Sequence, residues 1–294
     1  MSLSFKPKSY LRPRSEIELS SRLQEFGDRA KIIAGGTGIY EVAHRGLFSD
    51  VEVLIDINDL NLSHITTTEG SLNIGTCVKM RDLSESKEIS TRIAFSGVMD
   101  ALRAIQPLQV KNVATIGGAV CTALPFLDLP VSFLSVDAKI CIGPSGKLIP
   151  LSEFMIGYFE VALAPGEFVK QIELPFSQWR ASAFQKFAIT HDDWALINCG
   201  ASLSLDRDGK IVDPRIYFGG GVGSKPARSR NVEQALSGID SGRAKDIKEK
   251  FEKVTNDIEF VSDIRASAKY RQRLASVIGC RTVILACERA AQMK

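Results

Sequence analysis

Cysteine and histidine are scarce and scattered in this sequence. Its 294 residues include six cysteines and three histidines. No two cysteines form the CxxC pair that is typical of zinc and iron–sulfur sites. We therefore expect no metal site on this chain and interpret the cysteines as buried, reduced thiols. The histidines are too widely separated to indicate a metal site or a hydrolytic triad.

Other common signatures are also missing. The sequence contains neither GxxxxGK[ST] nor GxGxxG, which excludes the commonest nucleotide-binding motifs. No apolar run approaches the roughly 18 residues needed to span a bilayer, and the start, MSLSFKPKSYLRPRSE, has no apolar signal-peptide region. The net charge is only +3, with both signs mixed along the chain, which argues against nucleic acid or a membrane surface as a partner. We expect a cytoplasmic globular protein.

The order of predicted elements indicates an α+β protein. The first sixty residues read as a β–turn–α–β unit, preceded by a helix over Glu16–Phe26. A plausible boundary lies at Pro175–Trp179. Three strands follow it, then helical stretches over Asn231–Ser237 and 243–258, and a long helix from Ala268 to about residue 292. Strands followed by helices are typical of an α+β layer arrangement.

Two glycine-rich stretches carry the functional signal. IIAGGTGIY begins at Ile32, and TIGGAVCTALPFLD begins at Thr115. Backbone amides at such turns can bind a diphosphate without any lysine, and glycine allows the phosphate to approach the peptide closely. A single Gly-Gly turn is more often purely structural. Two loops of the same style, each after a β-type segment, favour a shared extended ligand, and on chemistry alone both interpretations stay open.

The two stretches together resemble a known family. IIAGGTGIY and VKNVATIGGAVCTALPFLDLP are similar to the FAD-binding medium subunit of the molybdenum hydroxylases, which include carbon monoxide dehydrogenase, xanthine dehydrogenase and aldehyde oxidoreductases. AFQKFAITHDDWAL, KPARSRNVEQALSG and SAKYRQRLASVIGCRTVILA extend the resemblance over nearly the whole chain. It implies a PCMH-type FAD-binding domain of two α/β subdomains, followed by a small α+β domain of the CO dehydrogenase flavoprotein C-terminal type. The implied limits are residues 1–178, with subdomains of about 1–60 and 61–178, and residues 179–294.

The resemblance also implies which residues bind FAD. Two loops would surround the diphosphate, and two apolar residues would line the flavin pocket. Gly38 and Ala119 stand where relatives often have a polar side chain, and each change removes a possible hydrogen bond of about 0.5–1.5 kcal/mol. The first loop is Ile32, Ile33, Ala34, Gly35, Gly36, Thr37, Gly38 and Ile39; the second is Thr115, Ile116, Gly117, Gly118 and Ala119; the apolar residues are Ile105 and Val169.

Three further side chains are implied at the cofactor. Asp128 matches an aspartate that accepts a hydrogen bond from a ribose or ribityl hydroxyl, although an N-cap or turn role is the alternative. Lys186 matches a lysine near the flavin N1/O2 edge or the phosphates; Gln185 competes for that position, and a solvated strand lysine is the alternative. Trp194, which follows two aspartates, is expected near the isoalloxazine ring, with an ordinary core or interface role equally open. No catalytic side chain is expected.

The function implied by the resemblance is electron transfer within a complex. The chain would carry FAD in a heterotrimer, beside a molybdopterin-binding large subunit with the molybdenum cofactor and a small subunit with [2Fe-2S] clusters. It would accept electrons from those clusters and pass them to an external acceptor. The expected assembly is a dimer of heterotrimers. The alternatives are a stand-alone PCMH-type flavin oxidoreductase and a non-catalytic subunit that has lost FAD, which Gly38 and Ala119 favour.

Overall fold

A computed structural model describes residues 5–44, 46, 48–176, 179–251 and 257–293. The chain begins with a small parallel sheet of strand order β1-β3-β2. Leu19 and Ile55 are fully buried between this sheet and the first helix. The β–turn–α–β unit is as expected, while the edge strand β1 was not foreseen from the sequence. The elements are β1 (Ser9–Leu11), α1 (Glu16–Phe26), β2 (Ala30–Ile33), α2 (Thr37–His44) and β3 (Val53–Asp56).

The middle of the chain forms an antiparallel sheet covered by short helices. Its order is β4-β5-β10-β6-β7, with β8 and β9 as a separate hairpin. Apolar side chains of the sheet and of α5, α7 and α8 form one core. The elements are β4 (Ile65–Thr67), β5 (Ser71–Gly75), α3 (Met80–Glu85), α4 (Lys87–Ser90), α5 (Ser96–Ala104), α6 (Leu108–Val113), α7 (Ile116–Cys121), α8 (Asp128–Ser135), β6 (Lys139–Gly143), β7 (Lys147–Pro150), α9 (Leu151–Phe154), β8 (Met155–Gly157), β9 (Glu160–Val161) and β10 (Phe168–Pro175).

The last part of the chain is an antiparallel sheet of order β11-β12-β13-β14 with a long helix against it. The helix expected over 243–258 is shorter in the structure: it ends at Phe251, residues 252–256 lie outside the described residues, and Ile258 is not helical. The elements are β11 (Ala181–Phe187), β12 (Ile197–Leu205), β13 (Ile211–Gly220), β14 (Ala227–Arg228), α10 (Arg230–Leu236), α11 (Ala244–Phe251) and α12 (Ala268–Ala291).

The C-terminal sheet packs directly on α5 and α8. Glycines allow this close approach: a Cβ on Gly97 would lie 2.9 Å from the backbone of Ala183, and one on Gly200 would lie 2.8 Å from the Val131 carbonyl oxygen. The two surfaces therefore meet backbone to backbone, which fixes β11 and β12 beside the start of α8. Within the described part of the chain, the helices are too short or too polar to cross a bilayer.

Candidate functional site

The two glycine loops are neighbours in the structure. The first follows β2 and leads into α2, with Gly36 at a φ of +75° that favours glycine. A Cβ on Gly35 would lie 2.0 Å from the Val113 carbonyl oxygen, and one on Gly38 would lie 2.8 Å from Thr122 Oγ1. The absence of side chains thus lets the first loop pack against the residues that flank the second.

The first loop offers amide donors at the start of α2. Tyr40 N–H donates to the Gly36 carbonyl at 3.0 Å, which is an i→i−4 helix bond. The amides of Thr37, Gly38 and Ile39 precede it, so the helix supplies no acceptor for them. Every residue of the loop from position 32 to 39 is partly exposed. An anion placed at this turn would meet free N–H groups and the positive end of the helix dipole.

The second loop differs from the expectation of open amides. Its N–H groups already have acceptors within the protein: Ile116 N donates to Val78 O at 2.9 Å, and Gly117 N to Thr76 O at 3.0 Å. Gly118 N donates to Thr115 Oγ1 at 3.1 Å, and Ala119 N donates to Thr115 O at 3.0 Å. Thr115 is the N-cap of the short α7, which accounts for the amides of Gly118 and Ala119, whereas the backbone of Thr76 and Val78 accounts for those of Gly117 and Ile116.

What the second loop presents to solvent is the backbone of Gly118. That residue is exposed, whereas Thr115, Ile116, Gly117 and Ala119 are buried. Gly117 has a packing reason of its own, because a Cβ there would lie 1.6 Å from Thr76 Oγ1. The second loop therefore forms a wall beside the first loop rather than a second set of free donors.

Asp128 lies at the centre of a buried polar group. Lys186 Nζ is 2.9 Å from its Oδ2, and Asn198 Nδ2 donates to its Oδ1 at 2.8 Å. Lys186 and Asn198 are register partners on β11 and β12, so both side chains reach the same face of the sheet. Burial raises the pKa of Asp128, while the Lys186 ammonium and the Asn198 amide oppose that rise.

This geometry bears on the alternative roles that the sequence left open for Asp128 and for Lys186. Asp128 is not an N-cap, because α8 begins at Asp128 itself and its N-cap position is Leu127. Lys186 is not a solvated strand lysine, since only 11% of its side chain is exposed and it pairs with Asp128. Gln185, one residue earlier on β11, faces the opposite side of the sheet by strand alternation. Lys186 is therefore the strand residue that reaches this group.

Trp194 stacks on Phe126. The ring centroids are 4.5 Å apart with an interplanar angle of 26°, and the Arg265 guanidinium carbon lies 6.0 Å from the Phe126 centroid. Trp194 is partly exposed, and Phe126 precedes Asp128 by two residues. Trp194 precedes Asn198 by four residues, so the aromatic pair is formed by the two segments that lead into Asp128 and Asn198.

The two apolar candidates lie in the core of the middle sheet. Ile105 caps the C-terminus of α5 and is partly buried, and Val169 on β10 is only 4% exposed. Val169 therefore offers little surface to a ligand.

Asn198 was missed by the sequence interpretation. Its signal was an amide in the mostly apolar stretch ALINCGASL.

Comparison with known proteins agrees with this geometry. Residues 3–177 match the family described as the FAD binding domain in molybdopterin dehydrogenase. The chain belongs to this family. Residues 182–284 match the CO dehydrogenase flavoprotein C-terminal domain. The resemblance inferred from the glycine loops and the expected fold are both confirmed, and the protein is an FAD-binding oxidoreductase subunit of the molybdenum hydroxylase family.

The relatives of this family subunit match nearly its whole length. It is 30% identical over 277 residues to the 6-hydroxypseudooxynicotine dehydrogenase complex subunit alpha of Paenarthrobacter nicotinovorans, with 92% of each chain covered. It is 28% identical to the glyceraldehyde dehydrogenase medium chain of Sulfolobus acidocaldarius, covering 92% of this chain and 95% of that one. Its structure is similar, with a TM-score of 0.86 and 26% identity, to carbon monoxide dehydrogenase from Hydrogenophaga pseudoflava lacking the Mo-pyranopterin moiety; the match covers 97% of this chain and 98% of that one.

The residues present fit FAD. The first loop supplies unpaired amides for a diphosphate, and the second loop, at Gly118, presents no side chain to it. Asp128 supplies a carboxylate and Lys186 an ammonium group. Each oxygen of a carboxylate has two lone pairs, so Asp128 keeps acceptor capacity beyond its bonds to Lys186 and Asn198. These features suit a long ligand with a charged middle and hydroxyl groups.

Proposed function

We propose that this chain is the FAD-carrying electron-transfer subunit of a heterotrimeric molybdenum-containing dehydrogenase. In this proposal it accepts electrons from [2Fe-2S] clusters of a small partner subunit and passes them to an external acceptor. A molybdopterin-binding large subunit would oxidise the substrate. Support comes from the two matched domains together and from relatives that are named as a complex subunit and a medium chain.

The observation that carries the proposal is the contact between the glycine loops. A Cβ on Gly38 would lie 2.8 Å from Thr122 Oγ1, which donates to the Gly118 carbonyl at 2.7 Å, so the start of α2 lies beside the exposed backbone of Gly118. We assign the diphosphate to the amides of Thr37, Gly38 and Ile39, because backbone donors at a helix start bind phosphate groups well. In this assignment Ile32–Ile39 bind the cofactor, and residues 115–119 form the facing wall.

The remaining residues orient the cofactor in this proposal. Asp128 accepts a hydrogen bond from a ribose or ribityl hydroxyl, and Lys186 supplies a positive charge on the flavin side. Trp194, stacked on Phe126, contacts the ring system. When bound, FAD supplies the redox chemistry, while the chain binds it, orients it and sets the local charge. Ile105 and Val169 stay candidates for the pocket wall.

The proposed assembly is a cytoplasmic dimer of heterotrimers. All six cysteines are free, five of them buried and Cys121 partly so, and such thiols suit a reducing compartment. We propose domain limits of 1–178, with subdomains of about 1–60 and 61–178, and 179–294.

The test is to express the chain with the genes that flank its own, purify the product, and record its visible spectrum with molybdenum and iron analysis. A flavin spectrum with co-purified molybdenum and iron is the expected result. Flavin in a purified chain without partners would instead identify a stand-alone flavin oxidoreductase. Partners without flavin would identify a subunit that has lost FAD. A purified product that contains neither flavin nor partner subunits would overturn the proposal altogether.

A further inference from the structure

A row of three register partners crosses the C-terminal sheet next to Asp128. Lys186 on β11 pairs with Asn198 on β12, and Asn198 pairs with Gly219 on β13. A Cβ on Gly219 would lie 2.4 Å from Asn198 Oδ1 and 2.5 Å from the Pro125 carbonyl. Glycine at this position therefore leaves the space in which the Asn198 amide lies.

Asn198 is fully buried, and only the nitrogen of its side-chain amide is hydrogen-bonded to a described residue. Its Nδ2 donates to Asp128 Oδ1 at 2.8 Å. Its Oδ1 has no hydrogen-bond partner among the described residues. A buried acceptor without a donor is unfavourable, so an apolar residue of similar shape would suit the packing better. What the asparagine contributes in return is its bond to Asp128.

We propose that Asn198 is a positioning residue for FAD binding, which holds the Asp128 carboxylate in one orientation for the cofactor. This inference rests on the proposed function, because it assigns to Asp128 a cofactor hydroxyl. Lys186 and Asn198 bind different oxygens of the carboxylate, so together they fix its plane. The lone pairs that remain then point in defined directions.

The electrostatic surroundings of Asp128 are simple. Among the described residues packed around it from α8, β11, β12 and β13, Lys186 is the charged group that acts on its carboxyl, and Asn198 is the neutral donor. Loss of the Asn198 donor would leave one oxygen of a buried carboxylate without a partner. The side chain would then be free to turn toward Lys186 alone, away from the orientation that the cofactor requires.

Two substitutions separate the donor from the shape of the side chain. Asn198→Leu keeps the size but removes the donor. Asn198→Asp introduces a carboxyl group that can donate to Asp128 only while it is protonated. Burial and the adjacent Asp128 raise the pKa of the introduced carboxyl, because two carboxylates at hydrogen-bond distance share one proton. Ser202→Ala is the matched control, because Ser202 is also fully buried on β12 and donates to α8 through the Ser135 carbonyl.

The experiment titrates the full-length chain with FAD from about pH 5 to about pH 8.5, a range chosen to cover a raised carboxyl pKa, and follows flavin fluorescence. We expect Asn198→Leu to bind FAD about tenfold more weakly at every pH, because the Asp128 carboxylate is no longer held in the orientation that the cofactor hydroxyl requires. Asn198→Asp should bind weakly at high pH and recover toward wild type as the pH falls. Ser202→Ala should bind like wild type.

The outcomes distinguish this inference from the proposed function. Wild-type affinity in Asn198→Leu would show that the side chain only fills space and would overturn the positioning role. Weak binding by Asn198→Asp at all pH values, in a variant whose circular dichroism is native, would overturn it as well. If Asn198→Leu does not fold, the pH series of Asn198→Asp decides alone. Failure of the wild-type chain to bind FAD, alone or in its complex, would instead refute the proposed function.

Discussion

Arg289, near the end of α12, and Asp100, on α5, form a two-pronged ion pair between the two domains. Arg289 Nη1 lies 2.6 Å from Asp100 Oδ2, and Nη2 lies 3.0 Å from Oδ1. Nη1 also donates to the Ser182 carbonyl on β11. The last helix is thereby tied to α5 and to the strand that carries Lys186.

Removing this arginine should destabilise the protein. Arg289→Ala leaves the Asp100 carboxylate, only 15% exposed, with the longer 3.5 Å pair to the exposed Arg103 in place of the two-pronged one, and we expect a loss of about 2 kcal/mol in the free energy of unfolding. The measurement is chemical denaturation at neutral pH. Arg22→Ala breaks the exposed pair with Glu25 and should leave the midpoint unchanged. Equal effects of the two substitutions would contradict a special role for the interdomain pair.

The close approach of the glycine loops gives a second prediction. Gly35→Ala places a methyl group 2.0 Å from the Val113 carbonyl oxygen in the present geometry, so the loops must separate. We expect FAD affinity to fall by more than about tenfold, measured by flavin fluorescence titration. Gly70→Ala is the control, because a Cβ there meets nothing within 4 Å. Unchanged affinity in Gly35→Ala would argue that the contact between the loops does not matter for the cofactor.

The lowered pKa of Asp263 leads us to expect that the protein loses stability in acid. Its partial burial raises its pKa, but hydrogen bonds from Arg271 and from the backbone of Arg265 and Ala266 outweigh this and hold the pKa well below its ordinary value of 3.8. The unfolded chain therefore binds the proton first as the pH falls. The stabilisation by the Asp263–Arg271 pair is complete above that ordinary pKa and is lost as the pH falls below it.

The variant Asp263→Asn tests this sign. It leaves Arg271, which is 1% exposed, without its anion, and we expect a loss of about 2 kcal/mol at pH 7, a figure reduced because the Asp263 side chain is 36% exposed. The difference between wild type and variant should shrink below about pH 4. A difference that is the same at every pH would show that the ion pair is not its source.

Tryptophan fluorescence can test the assignment of Trp194. The chain has two tryptophans, so Trp179→Phe leaves Trp194 as the single reporter. We expect FAD to quench its emission strongly, because it would lie beside the ring system. In Trp194→Phe the remaining Trp179 is 68% exposed and should respond weakly. An emission from Trp194 that is insensitive to FAD would place the cofactor elsewhere and leave Trp194 with a packing role beside Phe126.

The sequence predicted the positions of the loops better than their chemistry. Glycine spacing and apolar periodicity are local signals, so the first loop, α1 and α12 were expected close to where they are found. Whether an amide is free depends on residues far away in the sequence. The carbonyls of Thr76 and Val78 accept hydrogen bonds from amides of the second loop, and the local sequence of that loop gives no sign of this. The role of Asn198 also depends on a distant element, because its side chain reaches Asp128 only when β12 packs against α8.

The backbone contacts between the domains limit how the protein can move. Gly97 against Ala183 and Gly200 against Val131 place backbone against backbone at two points of this interface, so sliding of the sheet over α5 and α8, the shear type of motion, would require the two surfaces to separate there. Hinge opening would have to break the contacts of Arg289 and Lys186 together. We therefore expect the C-terminal sheet, α5 and α8 to move as one body, so that Lys186 and Asn198 keep their distances from Asp128 while the cofactor enters and leaves.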